Sequence, residues 1–167
     1  MKSYVLALAI FAAAISMTAC GSSNEEAKAS WGEAANKPAK PDPYAGLTAF
    51  EKEHGIGPVK EELKLEAINT TLVKKGEKAF ETKCYACHRL DTKLVGPPLQ
   101  DVLKIRKPEY VMNMMLNPEG MIKNHPDAKK LFAQFLIPMA NQNLTMDECR
   151  AILEYLRHAN ENAKKPS

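Results

Sequence analysis

The sequence predicts a small all-α domain of about four helices. Apolar residues recur at helical spacing from about Thr70 to about His158, which is typical of helices that bury one face. Prolines and capping residues stand where such helices would begin or end. No stretch of useful length alternates apolar and polar residues, so the pattern does not indicate a β-sheet.

The first predicted helix starts at about Thr70. Leu72, Gly76, Phe80 and Cys84 follow one another at intervals of four residues and therefore share one helical face. A glycine in mid-helix costs about 1 kcal/mol relative to alanine. We therefore expect Gly76 to have a packing role, such as letting a second helix approach closely.

Two further helices are predicted in the middle of the domain. The segment 95–98, Val-Gly-Pro-Pro, must be a loop. Pro108 is placed to start a helix over Glu109–Leu116, which Asn117 and Pro118 then stop. Pro126 is placed to start another, with apolar residues on one side at Leu131, Phe132 and Phe135.

The last predicted helix begins after Thr145 and ends near His158. Thr145 and Glu148 form a capping-box pattern, in which each side chain satisfies a free backbone N–H of the first turn. Apolar residues then follow at the i, i+3, i+4, i+7 spacing of an amphipathic helix: Cys149, Ile152, Leu153 and Leu156.

The amino terminus has the pattern of an export signal. Tyr4 to Ile15 is almost unbroken apolar sequence, long enough for a signal peptide and too short to span a bilayer. Met17-Thr18-Ala19-Cys20 resembles the bacterial lipoprotein cleavage box, in which Cys20 would become the lipidated mature terminus. The alternative is a plain secretory signal that happens to contain a cysteine.

These patterns divide the chain into five segments. We expect a lipoprotein signal peptide at 1–19 and a flexible polar tether at 20–45, because the tether has too little apolar surface to order itself. Residues 46–69 are more apolar but broken by glycine and proline, and are expected to pack on the domain as an irregular extension. The domain itself is placed at 70–160, followed by a disordered tail at 161–167.

The charge balance excludes nucleic acid as a partner. The 167 residues include 23 basic and 20 acidic side chains, for a formal net charge of +3, and there is no basic arm or long run of like charge.

Cys84-Tyr85-Ala86-Cys87-His88 is a c-type haem attachment motif. Two thiols three residues apart can add to the two vinyl groups of a porphyrin, and the next residue, His88, can reach the iron. A closed zinc site would need two more ligands, for which only Cys149, His125 and His158 are available. A thioredoxin-like dithiol would need a βαβ context that this helical sequence lacks.

The second axial ligand of the iron has several candidates. Met139 follows Pro138 in a break between two predicted helices, where a side chain is free of helical constraint, and it is the preferred choice. His125 and Met121 remain alternatives. Methionines inside the predicted helix 109–116 are better explained as core residues.

From about Thr70 to Ala159 the chain resembles the class I monohaem cytochromes c. The features come in family order: Gly76 and Phe80 before the haem motif, Gly96-Pro97 after it, then Pro138-Met139 and a final helix over Leu144–Leu156. The resemblance implies a small all-α fold of about four helices wrapped around one covalent haem c. It also implies that the Pro97 carbonyl accepts a hydrogen bond from His88, that Met139 is the distal ligand, and that the first and last helices cross at Gly76.

The expected function is therefore that of a single-electron carrier and not of an enzyme, without a small-molecule substrate. With His88 and Met139 both bound to iron, electron transfer is the chemistry that remains. The protein would be exported, lipid-anchored to a bacterial membrane at Cys20, with its haem domain in the periplasm or on the cell surface. Its partners would be a respiratory electron donor and a terminal oxidase or nitrogen-oxide reductase.

Two alternatives to a free carrier stay open. The chain could be a haem-containing subunit of a larger complex, or a gas- or peroxide-reactive haem protein whose distal ligand is weak or absent. Lys83, Arg89 and Lys93 lie near the haem motif and could steer an acidic partner, or simply be solvated surface. Cys149 is expected to be a small buried apolar group with no redox role.

Overall fold

The helical periodicity of the sequence becomes a bundle of short helices. The computed structural model describes residues 40–163, and within that range seven helices follow one another. They are α1 Ala49–His54, α2 Thr70–Lys83, α3 Val102–Ile105, α4 Pro108–Leu116, α5 Pro118–Asn124, α6 Pro126–Phe135 and α7 Met146–Glu161. The described residues contain no strand, so the all-α prediction is confirmed.

All four predicted helices are present, as α2, α4, α6 and α7. Three shorter helices were not predicted. The six-residue α1 lies in the extension and begins with a capping box of Thr48 and Glu51. Asn117 ends α4 as expected, but its side chain also accepts a hydrogen bond from the N–H of Gly120 and so starts α5 at once.

Helices α2 and α7 make the closest contact in the core. A Cβ atom on Gly76 would collide with the backbone carbonyl of Ala151 and lie 3.0 Å from the amide nitrogen of Ile152. The Phe80 and Tyr155 rings pack beside this crossing with their centroids 5.4 Å apart. The packing role expected for Gly76 is therefore confirmed: it lets two backbones meet.

The predicted capping box of α7 is also present. The Thr145 hydroxyl accepts a hydrogen bond from the Glu148 N–H at 3.1 Å, and the Glu148 carboxylate accepts one from the Thr145 N–H at 2.9 Å. Both otherwise unpaired amide groups of the first turn are thereby satisfied.

The N-terminal extension packs on the domain from an earlier residue than predicted. The Tyr44 hydroxyl donates a hydrogen bond to Asp127 at 2.9 Å, although the tether was expected to continue to residue 45.

The predicted signal peptide, the tether up to residue 39 and tail residues 164–167 lie outside the described residues. Between residues 40 and 163, no helix has the length and apolar character needed to cross a membrane.

Buried polar side chains of α4 hold the extension in place. The Asn113 amide nitrogen donates to the carbonyls of His54 and Val59 at 3.0 and 2.9 Å, and its oxygen accepts the Val59 N–H at 2.9 Å. Glu109 accepts the Leu63 N–H at 2.6 Å and the His54 Nδ1–H at 2.8 Å. Burial alone would raise the pKa of Glu109, but these hydrogen bonds outweigh it and lower the pKa, so the carboxylate stays ionised.

We predict that Gly76→Ala lowers the free energy of unfolding by about 1–3 kcal/mol, the usual penalty for overpacking a core. The loss is expected even though alanine is intrinsically the better helix former, because the new methyl group would displace α7. Denaturant unfolding followed by helical circular dichroism measures the change. Lys75→Ala, on the exposed face of α2, is the control and should leave stability nearly unchanged. Equal stability of Gly76→Ala and the parent would contradict the close crossing.

Candidate functional site

The haem motif begins where α2 ends. Cys84 is the C-cap of α2, and its N–H donates to the Phe80 carbonyl. The N–H groups of Cys87 and His88 both donate to the Cys84 carbonyl, at 3.0 and 2.9 Å. This turn brings the two cysteines and the histidine to the wall of one cavity.

The His88 imidazole is fixed by the loop that follows. Its Nδ1 lies 2.9 Å from the Pro97 carbonyl oxygen, which only accepts hydrogen bonds, so Nδ1 carries the proton and Nε2 presents a free lone pair. A Cβ on Gly96 would lie 2.8 Å from Nδ1 and 2.9 Å from Nε2, so no larger residue fits beside the ring. The expected His88–Pro97 hydrogen bond is confirmed.

The cavity has a volume of about 380 Å³ and mostly apolar walls. Cys84, Cys87, His88 and Met139 all line it. Helices α2, α4, α6 and α7 contribute apolar side chains, among them Phe80, Val111, Met115, Leu131, Phe135, Ile152 and Leu156. Two thiols, an imidazole and a thioether around an apolar cavity are the groups that a covalently held haem requires.

Met139 lies in residues 136–145, the non-helical segment between α6 and α7. Leu136 adopts a left-handed conformation, with φ of 59°, and so ends α6. Two other methionines, Met114 and Met115 of α4, also line the cavity. Among the three, Met139 alone is free of a helix and can be aimed by the loop that carries it.

The alternative ligands His125 and Met121 are engaged elsewhere. His125 is fully buried; its Nε2 donates to the Glu51 carbonyl at 3.1 Å, and its Nδ1 accepts the Asp127 N–H at 3.2 Å. Met121 is fully buried too, and its sulfur accepts the Ile56 N–H at 3.0 Å. Neither belongs to the cavity lining, so both serve the packing of the extension.

Burial keeps the Cys84 and Cys149 thiols protonated. It raises the pKa of Cys84 to about 11 and that of Cys149 to about 12. Cys149 is fully buried, with its Sγ 3.7 Å from the Met112 carbonyl oxygen, as expected of a small apolar core group. In the part of the chain that the structure describes, no three His, Cys, Asp or Glu side chains are grouped to hold a metal ion.

The basic residues near the motif have partners of their own. Lys83 pairs with Glu148 at 3.0 Å. The Arg89 guanidinium lies 3.5 Å from the Tyr85 ring centroid and donates to the Tyr85 carbonyl. The Lys93 ammonium lies 4.8 Å from the Phe135 ring centroid. Their role in steering an acidic partner stays a prediction.

The polar residues that position α4, one wall of the cavity, were not predicted from the sequence. Glu109 and Asn113 are four residues apart and face the extension, while Val111 and Met115 line the cavity. The signal was available in principle: two polar residues on one face of an otherwise apolar helix indicate buried hydrogen bonding.

Comparison with known proteins agrees with the geometry of the site. The cytochrome c family profile matches residues 73–160, just over half of the chain. The chain therefore belongs to the cytochrome c family, whose cofactor is a covalently bound haem c and whose chemistry is haem-based electron transfer. No curated protein matches the chain.

Solved structures extend the similarity beyond the family profile. A cytochrome c from Rhodothermus marinus is 45% identical over 72% of this chain and 99% of its own, with a TM-score of 0.64. An engineered cytochrome c from the same organism has the same identity and TM-score, and a structure of it bound to a carbene intermediate has a TM-score of 0.61. Because 72% exceeds the share of residues 73–160, this similarity includes residues outside the profile.

Proposed function

We propose that this chain is an exported single-electron carrier that holds one haem through Cys84 and Cys87, with His88 and Met139 as its axial ligands. The observation that carries the proposal is that all four side chains line one apolar cavity. A cytochrome c whose iron has both axial positions filled exchanges electrons and binds no substrate.

Each residue then has a defined task. The Cys84 and Cys87 thiols would supply the sulfurs of two thioether bonds, and the haem, once bound, would supply an iron that alternates between two oxidation states. The Pro97 carbonyl holds His88 in one tautomer and one orientation, which strengthens the imidazole as a ligand. As a ligand of that iron, the thioether of Met139 would raise the reduction potential above that of a bis-histidine site. Apolar walls from α4, α6 and α7 exclude water from the cofactor.

We further propose that Cys20 carries a lipid that anchors the protein to a bacterial membrane, with the haem domain in the periplasm or on the cell surface. The support comes from the sequence: an apolar segment of signal-peptide length precedes a lipoprotein-like box ending at Cys20. A tethered carrier suits delivery of electrons from a respiratory donor to a terminal oxidase or nitrogen-oxide reductase.

A second candidate is a haem protein that reacts with a gas or peroxide. The engineered cytochrome c from Rhodothermus marinus has been solved with a carbene intermediate bound, so that relative accepts an external group. In this chain the segment that carries Met139 includes two exposed residues, Leu136 and Ile137, at 76% and 56% exposure. A gas or peroxide would reach the iron only if the Met139 segment moved away from the cavity.

We predict that the haem of the exported protein stays attached after denaturation, because two thioether bonds hold it. The double variant Cys84→Ala/Cys87→Ala should contain no covalent haem, whereas Cys149→Ala should retain all of it. Absorbance of the alkaline pyridine adduct after acid–acetone extraction measures the attached fraction. Extractable haem in the parent protein, or attached haem in the double variant, would refute the assignment.

We predict that Met139→Ala abolishes the weak red absorption band of an iron–thioether bond and opens the iron to carbon monoxide. The parent spectrum should be unchanged by carbon monoxide in both oxidation states. Met114→Ala, which alters another methionine of the cavity wall, is the control and should keep the band. If the band disappears in Met114→Ala instead, the distal ligand is Met114. A parent that binds carbon monoxide directly would favour the gas-reactive function.

We predict that Cys20→Ser releases the protein from the membrane fraction of expressing cells, because the lipid can no longer be attached. Immunoblots of membrane and soluble fractions measure the distribution. Ser22→Ala, two residues downstream, is the control and should remain with the membranes. Membrane association of Cys20→Ser equal to that of the parent would contradict the anchor.

A further inference from the structure

Arg106 brings a cation to the largely apolar haem cavity. It lines the cavity, and its guanidinium lies 4.7 Å from the ring centroid of Tyr110, another lining residue. Within residues 40–163, the one hydrogen bond of the Arg106 side chain joins its NH1 group to Asp127 at 2.6 Å. Because a guanidinium has five N–H donors, most of them remain available to a ligand in the cavity.

Asp127 connects Arg106 to the N-terminal extension. One carboxylate oxygen accepts from Arg106, and the other accepts from the Tyr44 hydroxyl at 2.9 Å. Lys130 is a more distant partner, at 3.5 Å. Burial alone would raise the pKa of Asp127, but the hydrogen bonds from Arg106 and Tyr44 outweigh it and lower the pKa. The carboxylate is therefore ionised and fixes the Arg106 guanidinium through their ion pair.

The remaining polar groups of the cavity leave Arg106 as the partner for an anion. Among its lining residues only Lys83 and Arg106 carry a full charge, and none is acidic. Lys83 directly precedes Cys84 and pairs with Glu148 at 3.0 Å. The Tyr110 hydroxyl is buried and has no hydrogen-bond partner in residues 40–163, so this region offers a second donor. A haem brings two propionate carboxylates, on the macrocycle edge away from its thioether bonds.

We propose that the N-terminal extension tunes the haem: Tyr44 is a positioning residue that holds Asp127, Asp127 holds Arg106, and the Arg106 guanidinium binds a haem propionate. The inference rests on the proposed attachment of haem at Cys84 and Cys87. It gives residues 40–45, which sequence analysis assigned to the tether, a role in the electron-transfer function.

The expected effect on reduction potential follows from the charges. A propionate favours the oxidised, more positive iron, and a guanidinium that neutralises it makes reduction easier. Without the Tyr44 hydroxyl, the negative charge of Asp127 is less compensated and Arg106 is less firmly held. Both changes leave more negative charge near the iron and shift the potential to lower values.

The test compares midpoint potentials of full-length, haem-loaded proteins by spectroelectrochemical titration. Tyr44→Phe, which removes one oxygen atom, should have a lower potential than the parent, and Arg106→Gln a still lower one. Tyr155→Phe is the matched control, because Tyr155 lies outside the cavity lining and packs on Phe80; its potential should equal that of the parent. If Arg106→Gln does not fold, Arg106→Lys serves, since it keeps the charge and loses the planar geometry.

A double-mutant cycle separates positioning from a general effect on stability. Because Tyr44 acts through Asp127, Tyr44→Phe should cause no further shift in an Asp127→Asn background. An unchanged potential in Tyr44→Phe, or an equal shift in both backgrounds, overturns the inference. The covalently attached haem content of each protein distinguishes failure of the proposed function from failure of this inference. A parent without covalent haem refutes the proposed function, whereas full haem with unshifted potentials refutes this inference alone.

Discussion

The contact between α2 and α7 at Gly76 sets the geometry on which the haem cavity depends. Because any side chain there would collide with the Ala151 carbonyl, the two helices cross at backbone distance. The end of α2 then delivers Cys84 to the cavity, while Ile152 and Leu156 of α7 form part of its wall. Moving the helices apart by the width of a methyl group would move the attachment motif away from the apolar wall that must cover the cofactor.

Helix α4 links this cavity to a segment outside the family profile. One of its faces carries Val111 and Met115 to the cavity, and another carries Glu109 and Asn113 to the extension. Buried polar groups are tolerated here because each has several hydrogen-bond partners, and a satisfied polar network specifies one arrangement of the backbone. The extension therefore acts as a second support for the wall of the haem site, alongside the packing of the core.

Much of the fold was predictable, because its long helices carry complete signals. The helices α2, α4, α6 and α7 have 9 to 16 residues, enough for periodicity, proline starts and caps to be legible. The other three have only 4 to 7 residues, too few for a repeating pattern. At the site, the haem motif could be predicted from the sequence because its residues, 84–88, are consecutive. The link from Tyr44 to Asp127 spans 83 positions and leaves no local pattern to read.

That long link also has a consequence for the entropy cost of ordering the extension. Its partners Asn113 and Asp127 lie more than fifty residues further along the chain. Each of these contacts closes a long loop, but the entropy cost of closure grows only slowly with loop length. The extension therefore docks on α4 and α6 at little more entropic cost than a nearer segment would have, and the buried hydrogen bonds of Glu109 and Asn113 have only that small excess to offset.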